Sequence, residues 1–150
     1  MRIFKCYPKI LVVCFVFILT ACASTGLSQK ERDDLYLKYV TDNKLEKLDK
    51  ISPFRFHGWT SLDNKHLILT ASINKPYFIR LKSHCVELKW SLAIAIHKSS
   101  SQTLYANHDA ISPGKFPKQK CFIEEIYQIT REQAEQIARL DDDAMKAKTG

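Results

Sequence analysis

Five histidines (His57, His66, His84, His97 and His108) and the adjacent pair Glu124-Glu125 are the residues of this chain whose types suit acid–base or metal chemistry. The histidines follow one another at spacings of nine, eighteen, thirteen and eleven, which match no metal motif and place no two as a helical ligand pair. They are expected at surface or singly hydrogen-bonded positions, with convergence from neighbouring strands as the alternative. On an extended strand Glu124 and Glu125 face opposite ways and form no catalytic carboxylate pair. His108-Asp109 offers two members of a triad. Adjacent residues point apart in an extended chain, however, and no Gly-x-Ser-x-Gly nucleophile turn accompanies them. The four glycines, Gly26, Gly58, Gly114 and Gly150, build no phosphate-cradling loop. These patterns call for no catalytic residue, metal or cofactor; they leave enzymatic activity undecided while favouring a non-enzyme.

The five cysteines sort by position. Residues 1–9 carry Arg2, Lys5 and Lys9 and no acid, Ile10 to Leu19 is almost wholly apolar, and small residues follow. A basic head, a short apolar run and a small-residue exit form a secretory signal peptide. The apolar run is about ten residues, where a membrane-spanning helix needs about twenty. Leu19-Thr20-Ala21-Cys22 resembles the bacterial lipobox, which implies removal of residues 1–21 and a diacylglyceryl cysteine at Cys22, usually with a third, palmitate-like acyl chain on its amine. Two chains anchor stably where one does not. Ala23, in place of an Asp that would retain the protein at the inner membrane, favours the periplasmic face of an outer membrane.

Cys6 and Cys14 leave with the signal and Cys22 carries lipid, so Cys85 and Cys121 remain as the one pair. In an oxidising compartment a Cys85–Cys121 disulfide is the expectation. The chain holds 23 Lys and Arg against 16 Asp and Glu, a formal +7. Three of those cations lie in the signal, which lowers the balance of residues 22–150 to +4. This mild excess suits acidic lipid headgroups through salt-screened attraction. Nucleic acid is not an expected partner, because no basic stripe interleaved with aromatics is present.

The elements that must position these residues follow from periodicity. Residues 22–28 read as lipidated cysteine and tether, 29–143 as one globular domain and 144–150 as a loose tail. Ser28-x-x-Glu31 is a capping box opening a helix from about Gln29 to Val40. Leu45, Leu48 and Ile51 suggest a further short helical turn. Strands follow at Phe54–Trp59, His66–Ala71, Tyr77–Leu81, Ala93–His97 and Thr103–Ala106, with Asp109-Ala110-Ile111 extending or pairing with the last. Ala93–His97, apolar on both faces, reads as a central strand. Ser112 to Lys120 is a loop by its Pro113, Gly114 and Pro117, and Lys115, Phe116, Lys118 and Lys120 make it the most binding-like segment. Cys121–Ile129 reads as a strand if a bulge at Glu124-Glu125 joins its two apolar halves. Thr130-x-x-Gln133 caps a last helix, and Asp141-Asp142-Asp143 opposes its dipole, so fraying is expected there. The sum is an α+β fold, a small antiparallel sheet of five to seven short strands flanked by N- and C-terminal helices.

The order "ACAST", "HGWTSL", "LILTASINKPYFIRLKSHCVEL", "AIAIH", "YANHDAI" and "KCFIEEIYQIT" resembles a family of small proteobacterial lipoproteins, domain of unknown function 6491. Its paired cysteines map onto Cys85 and Cys121. Its usual acidic residue after the last strand is replaced here by Ile129-Thr130-Arg131, so that position carries nothing over. The resemblance implies the anchor, the disulfide and the domain extent, and no reaction. The expected function is a membrane-anchored envelope lipoprotein acting as a non-enzymatic binding module for an envelope protein or a cell-wall component. The alternative is a small periplasmic hydrolase or redox accessory built from dispersed His and Asp residues.

Overall fold

A computed structural model describes residues 26–149. The segment expected to be a signal peptide and Cys22 lie outside the described residues. The first helix, α1 (Gln29–Asp42), starts where the capping box places it: the Glu31 amide donates to Ser28 Oγ at 3.3 Å, and Ser28 N donates to the Glu31 carboxylate at 2.7 Å. Nine strands follow: β1 (Lys47–Leu48), β2 (Lys50–Ile51), β3 (Phe56–Ser61), β4 (His66–Ala71), β5 (Pro76–Leu81), β6 (Ile94–His97), β7 (Leu104–Tyr105), β8 (Ala110–Pro113) and β9 (Cys121–Gln128). The last element is α2 (Arg131–Thr149), opened by the Thr130–Gln133 capping box. Among the described residues seven strands form one antiparallel sheet in the order β3-β4-β5-β9-β8-β6, with β1 also paired to β9. The pair β2-β7 stands apart. The α+β expectation holds.

Alternation along β4 and β5 gives the sheet two apolar faces. Ile68, Phe78 and Tyr127 point to the helices and pack with Tyr36 and Val40 of α1 and Ile137 of α2. Leu67, Leu69, Ile79, Leu81, Ile123 and Ile126 point the other way and are covered by Leu88, Leu104 and Cys85 from the connecting segments. The Cys85–Cys121 disulfide, with Cα atoms 5.7 Å apart, fastens the long β5–β6 connection to the start of β9. It thereby holds that covering layer onto the sheet.

Four local expectations change. Leu48 and Ile51 lie in the short strands β1 and β2, not in a helical turn. β9 has an edge to fill opposite Tyr127 and Ile126, and Lys47-Leu48 fills it with backbone hydrogen bonds that a helical turn would withhold. β6 is an edge strand, half-buried along its length, not a central one. Its apolar composition records how well it is covered, and says nothing of how many neighbours it has. Ser112 and Pro113 belong to β8, which trims the expected loop to residues 114–120. α2 passes through Asp141–Asp143 without fraying and stays helical to Thr149, so 144–149 is no loose tail. Asp141 explains this: it is buried and receives Arg32 Nε on both oxygens, at 2.9 and 3.1 Å.

Candidate functional site

The expected bulge in β9 is present. Arg80 pairs with Glu125 and the next residue, Leu81, with Ile123, which leaves Glu124 as the extra residue. Its consequence overturns the view that the two glutamates diverge. An extra residue rotates the strand locally, and both carboxylates reach Arg80: Nη1 to Glu125 at 2.8 Å and Nη2 to Glu124 at 3.1 Å. Lys47 Nζ meets Glu125 at 2.8 Å from the other side. Burial alone would raise the Glu125 pKa, but hydrogen bonds from Lys47 and Tyr127 and the Arg80 charge hold it below the ordinary value. A carboxylate stabilised as the anion is a poor proton shuttle near neutrality. The pair is a clamp between β5, β9 and β1.

His66 is the one fully buried histidine, and its surroundings most resemble a catalytic arrangement. Nδ1 lies 3.0 Å from Asp63 Oδ2, and Nε2 lies 2.9 Å from Asp33 Oδ1, off the line of a hydrogen bond. Asp63 Oδ1 also accepts from the amides of Lys65 and His66 at 2.6 and 2.7 Å, and Oδ2 accepts from Gln29 Nε2 at 3.2 Å. Lys65 Nζ closes the far side of Asp33 at 2.6 Å. Burial pushes the Asp63 carboxyl up, yet the hydrogen bonds and charge of His66 and the two amides bring it below its ordinary value. The His66 ring stacks on Phe78 at 5.7 Å and meets Tyr36 at 4.7 Å, and Tyr36 lies 5.6 Å from Phe78, so the three rings pack as one cluster. The Tyr36 hydroxyl pKa is raised, first by burial and then by Asp63 and Asp141. Both ring nitrogens face carboxylates and the ring is fully enclosed, so no substrate reaches it. This cluster ties α1 to the β3–β4 turn.

The other histidines do not join it. His97 Nε2 is 2.7 Å from Ser112 Oγ, but that hydroxyl donates to the Gln119 carbonyl. The proton therefore runs away from the imidazole, so His97 is the donor to Ser112 and not its base. Asp109, buried beside exposed His108, accepts from the Ser99 and Tyr105 amides at 2.7 Å each. It shapes the turn between β7 and β8. His57 lines an open groove of about 350 Å³ with Thr70, Asn74, Arg131 and Glu135. His84 is exposed on the β5–β6 connection. Among the described residues no three His, Cys, Asp or Glu gather as metal ligands.

Lys115, Phe116, Lys118 and Lys120 are all exposed on the β8–β9 loop, as the sequence suggests. The structure adds neighbours that sequence reasoning missed. The β5–β6 connection presents Val86, Trp90 and Leu92 to solvent, at 51%, 69% and 99% exposure. It is joined to the β8–β9 loop by Gly114 N, which donates to Ala93 O at 2.8 Å and to Ser91 Oγ at 3.1 Å. A side chain on Gly114 would sit 3.0 Å from the Ala93 carbonyl, a tight contact that the neighbour would have to relieve by a few tenths of an ångström. The available signal was the alternation of lysine with apolar residues in "LKSHCVELKWSL", which fits neither a strand nor a helix period.

A model for a family of unknown function, DUF6491, covers residues 4–147, and the chain belongs to that family. No curated protein and no solved structure matches.

Proposed function

Membership of a family without an assigned activity leaves the reading to this chain's own residues, and we propose that it is a lipid-anchored envelope protein whose domain acts as a non-enzymatic interaction module. Cys22 would bear the lipid, at the periplasmic face of an outer membrane. The observation that carries the reading is where the fold begins. Leu27 is already buried and Ser28 already caps α1. With lipid on Cys22, four residues, 23–26, would separate the anchor from the buried Leu27, a span of at most about 14 Å. A domain held this close to a bilayer works on what lies at the membrane surface. The enclosed His66 and the proton direction at His97 favour binding over a histidine-based reaction.

The test is metabolic labelling with an alkynyl fatty acid, combined with membrane fractionation and cross-linking in intact cells. Wild-type protein should take the label, float with outer membranes and cross-link to envelope material. Cys22→Ala should lose the label. An unlabelled wild-type protein in the soluble fraction would overturn the anchor. Label without reproducible cross-links would overturn the interaction role.

A further inference from the structure

The β5–β6 connection and the β8–β9 loop emerge from the same end of the sheet, where β4 and β9 begin and β5 and β8 end. The chain enters the domain at this end too. Gln29 in the first turn of α1 donates to Asp63, and the adjoining Asn64 holds the β5–β6 connection twice. Its carbonyl accepts from Cys85 N at 2.6 Å and its side-chain oxygen from Lys89 N at 2.9 Å. Two adjacent residues of one turn, Asp63 and Asn64, thus link the first turn of α1 to the segment that exposes Trp90 and Leu92.

The charge is concentrated here as well. Segments 82–93 and 114–120 hold Lys82, Lys89, Lys115, Lys118 and Lys120 against Glu87 alone. The rest of residues 22–150 carries fifteen cations and fifteen acids, so these two segments hold the whole excess of the mature chain. No ion pair occupies any of the five lysines among the described residues; Lys89 Nζ instead lies 5.4 Å over the Trp90 ring. Exposed apolar side chains rimmed by unpaired cations mark a surface that meets something apolar and anionic.

We infer that these two loops dock the domain on the headgroup layer of an anionic bilayer, with Trp90, Leu92 and Phe116 entering the interface and the lysines meeting lipid phosphates. The inference rests on the anchored reading above, since a tether of four residues at Cys22 would bring this end of the fold to the membrane. A second copy of the chain is the poorer occupant, because two such faces would set five lysines against five. Tryptophan suits the boundary, with an apolar ring and one N–H donor, and lysine reaches phosphate on a flexible stem.

The experiment uses mature protein extracted from its own membranes and placed in phosphatidylcholine vesicles with or without phosphatidylglycerol. A Trp59→Phe background leaves Trp90 as the sole tryptophan, and brominated acyl chains read its depth. Quenching of at least twofold with phosphatidylglycerol, reduced at least twofold by joint Lys89, Lys115, Lys118 and Lys120→Gln, is the expected result. Unquenched, solvent-like Trp90 emission in both vesicles would overturn docking and leave the face to a protein partner. Equal quenching in both vesicles, unchanged by the lysine substitutions, would overturn the phosphate contacts. The mass of the N-terminal peptide reports separately whether Cys22 bears lipid. If it does not, protein added to preformed vesicles gives the same quenching decision. Circular dichroism of each variant confirms the fold.

Discussion

The β3–β4 turn and the two loops beside it occupy one end of the sheet and invert each other's chemistry. In the turn, polar side chains are buried: Asp63 and His66 are 1% and 0% exposed, and each is matched by partners on three sides or by covering rings. In the loops, apolar side chains are exposed, and Leu92 at 99% touches almost nothing. Buried charge is costly unless paired and hydrogen-bonded, and exposed apolar surface contributes nothing to folding. The first arrangement persists because it holds α1 to the sheet. The second has no such internal reason, which is why it, and not the histidine cluster, reads as the working surface.

The comparison breaks most visibly at the turn. His66→Ala leaves the Asp63 carboxylate buried without its main partner and should cost about 3–5 kcal/mol of stability, measured by urea unfolding. A loss below 1 kcal/mol would mean that the cluster is not the fastening described. Replacing Cys85 and Cys121 together by Ser frees a loop of sequence separation 36. It should lower stability by about 3.5–4 kcal/mol, the upper end expected from loop-closure entropy, and loosen the layer that carries Trp90. Ser28→Ala removes the α1 cap and should cost about 1 kcal/mol in the same assay.

Titration sharpens the contrast from the side of charge. Asp63 and Glu125 have folded-state pKa values below their ordinary ones. Their contribution is therefore present above the unfolded carboxylate range and lost as pH falls through the depressed folded values. Tyr127 behaves oppositely: burial, then the nearby Glu125, pushes it up from 10.0 to about 12. Its contribution is present below pH 10 and lost as pH rises from there toward 12, and Tyr127→Phe should flatten that alkaline limb. The smallest stability effects belong to the loops. Leu92→Ala and Lys118→Gln should change unfolding free energy by no more than about 0.5 kcal/mol. A larger loss would show that these residues serve the fold and would remove the distinction between the two regions.

Legibility differed between the two regions for a physical reason. Both capping boxes, the strands at His66–Ala71 and Tyr77–Leu81, and the bulge in β9 were open to sequence reasoning because each depends on residues a few positions apart. The sense of Leu48 and Ile51 was not, because β1 forms only to fill an edge that β9 leaves. The two glutamates show the limit most closely. Sequence located the bulge at Glu124-Glu125, yet the convergence of both on Arg80 needed the register of a strand more than forty residues away.

By itself the sequence determined the α+β class, the helix starts, the alternation that gives the sheet two apolar faces, and, by elimination, the cysteines that pair. These follow from local backbone preferences and from counting, which need no knowledge of topology. Tertiary structure alone decided that His66 lies sealed between Asp33 and Asp63, that the histidines do not converge, and that Trp90 and Leu92 stand beside the lysine loop at the end where the chain enters. Each of these unites residues from separate strands and turns, and only the order of strands in the sheet determines which segments share an end.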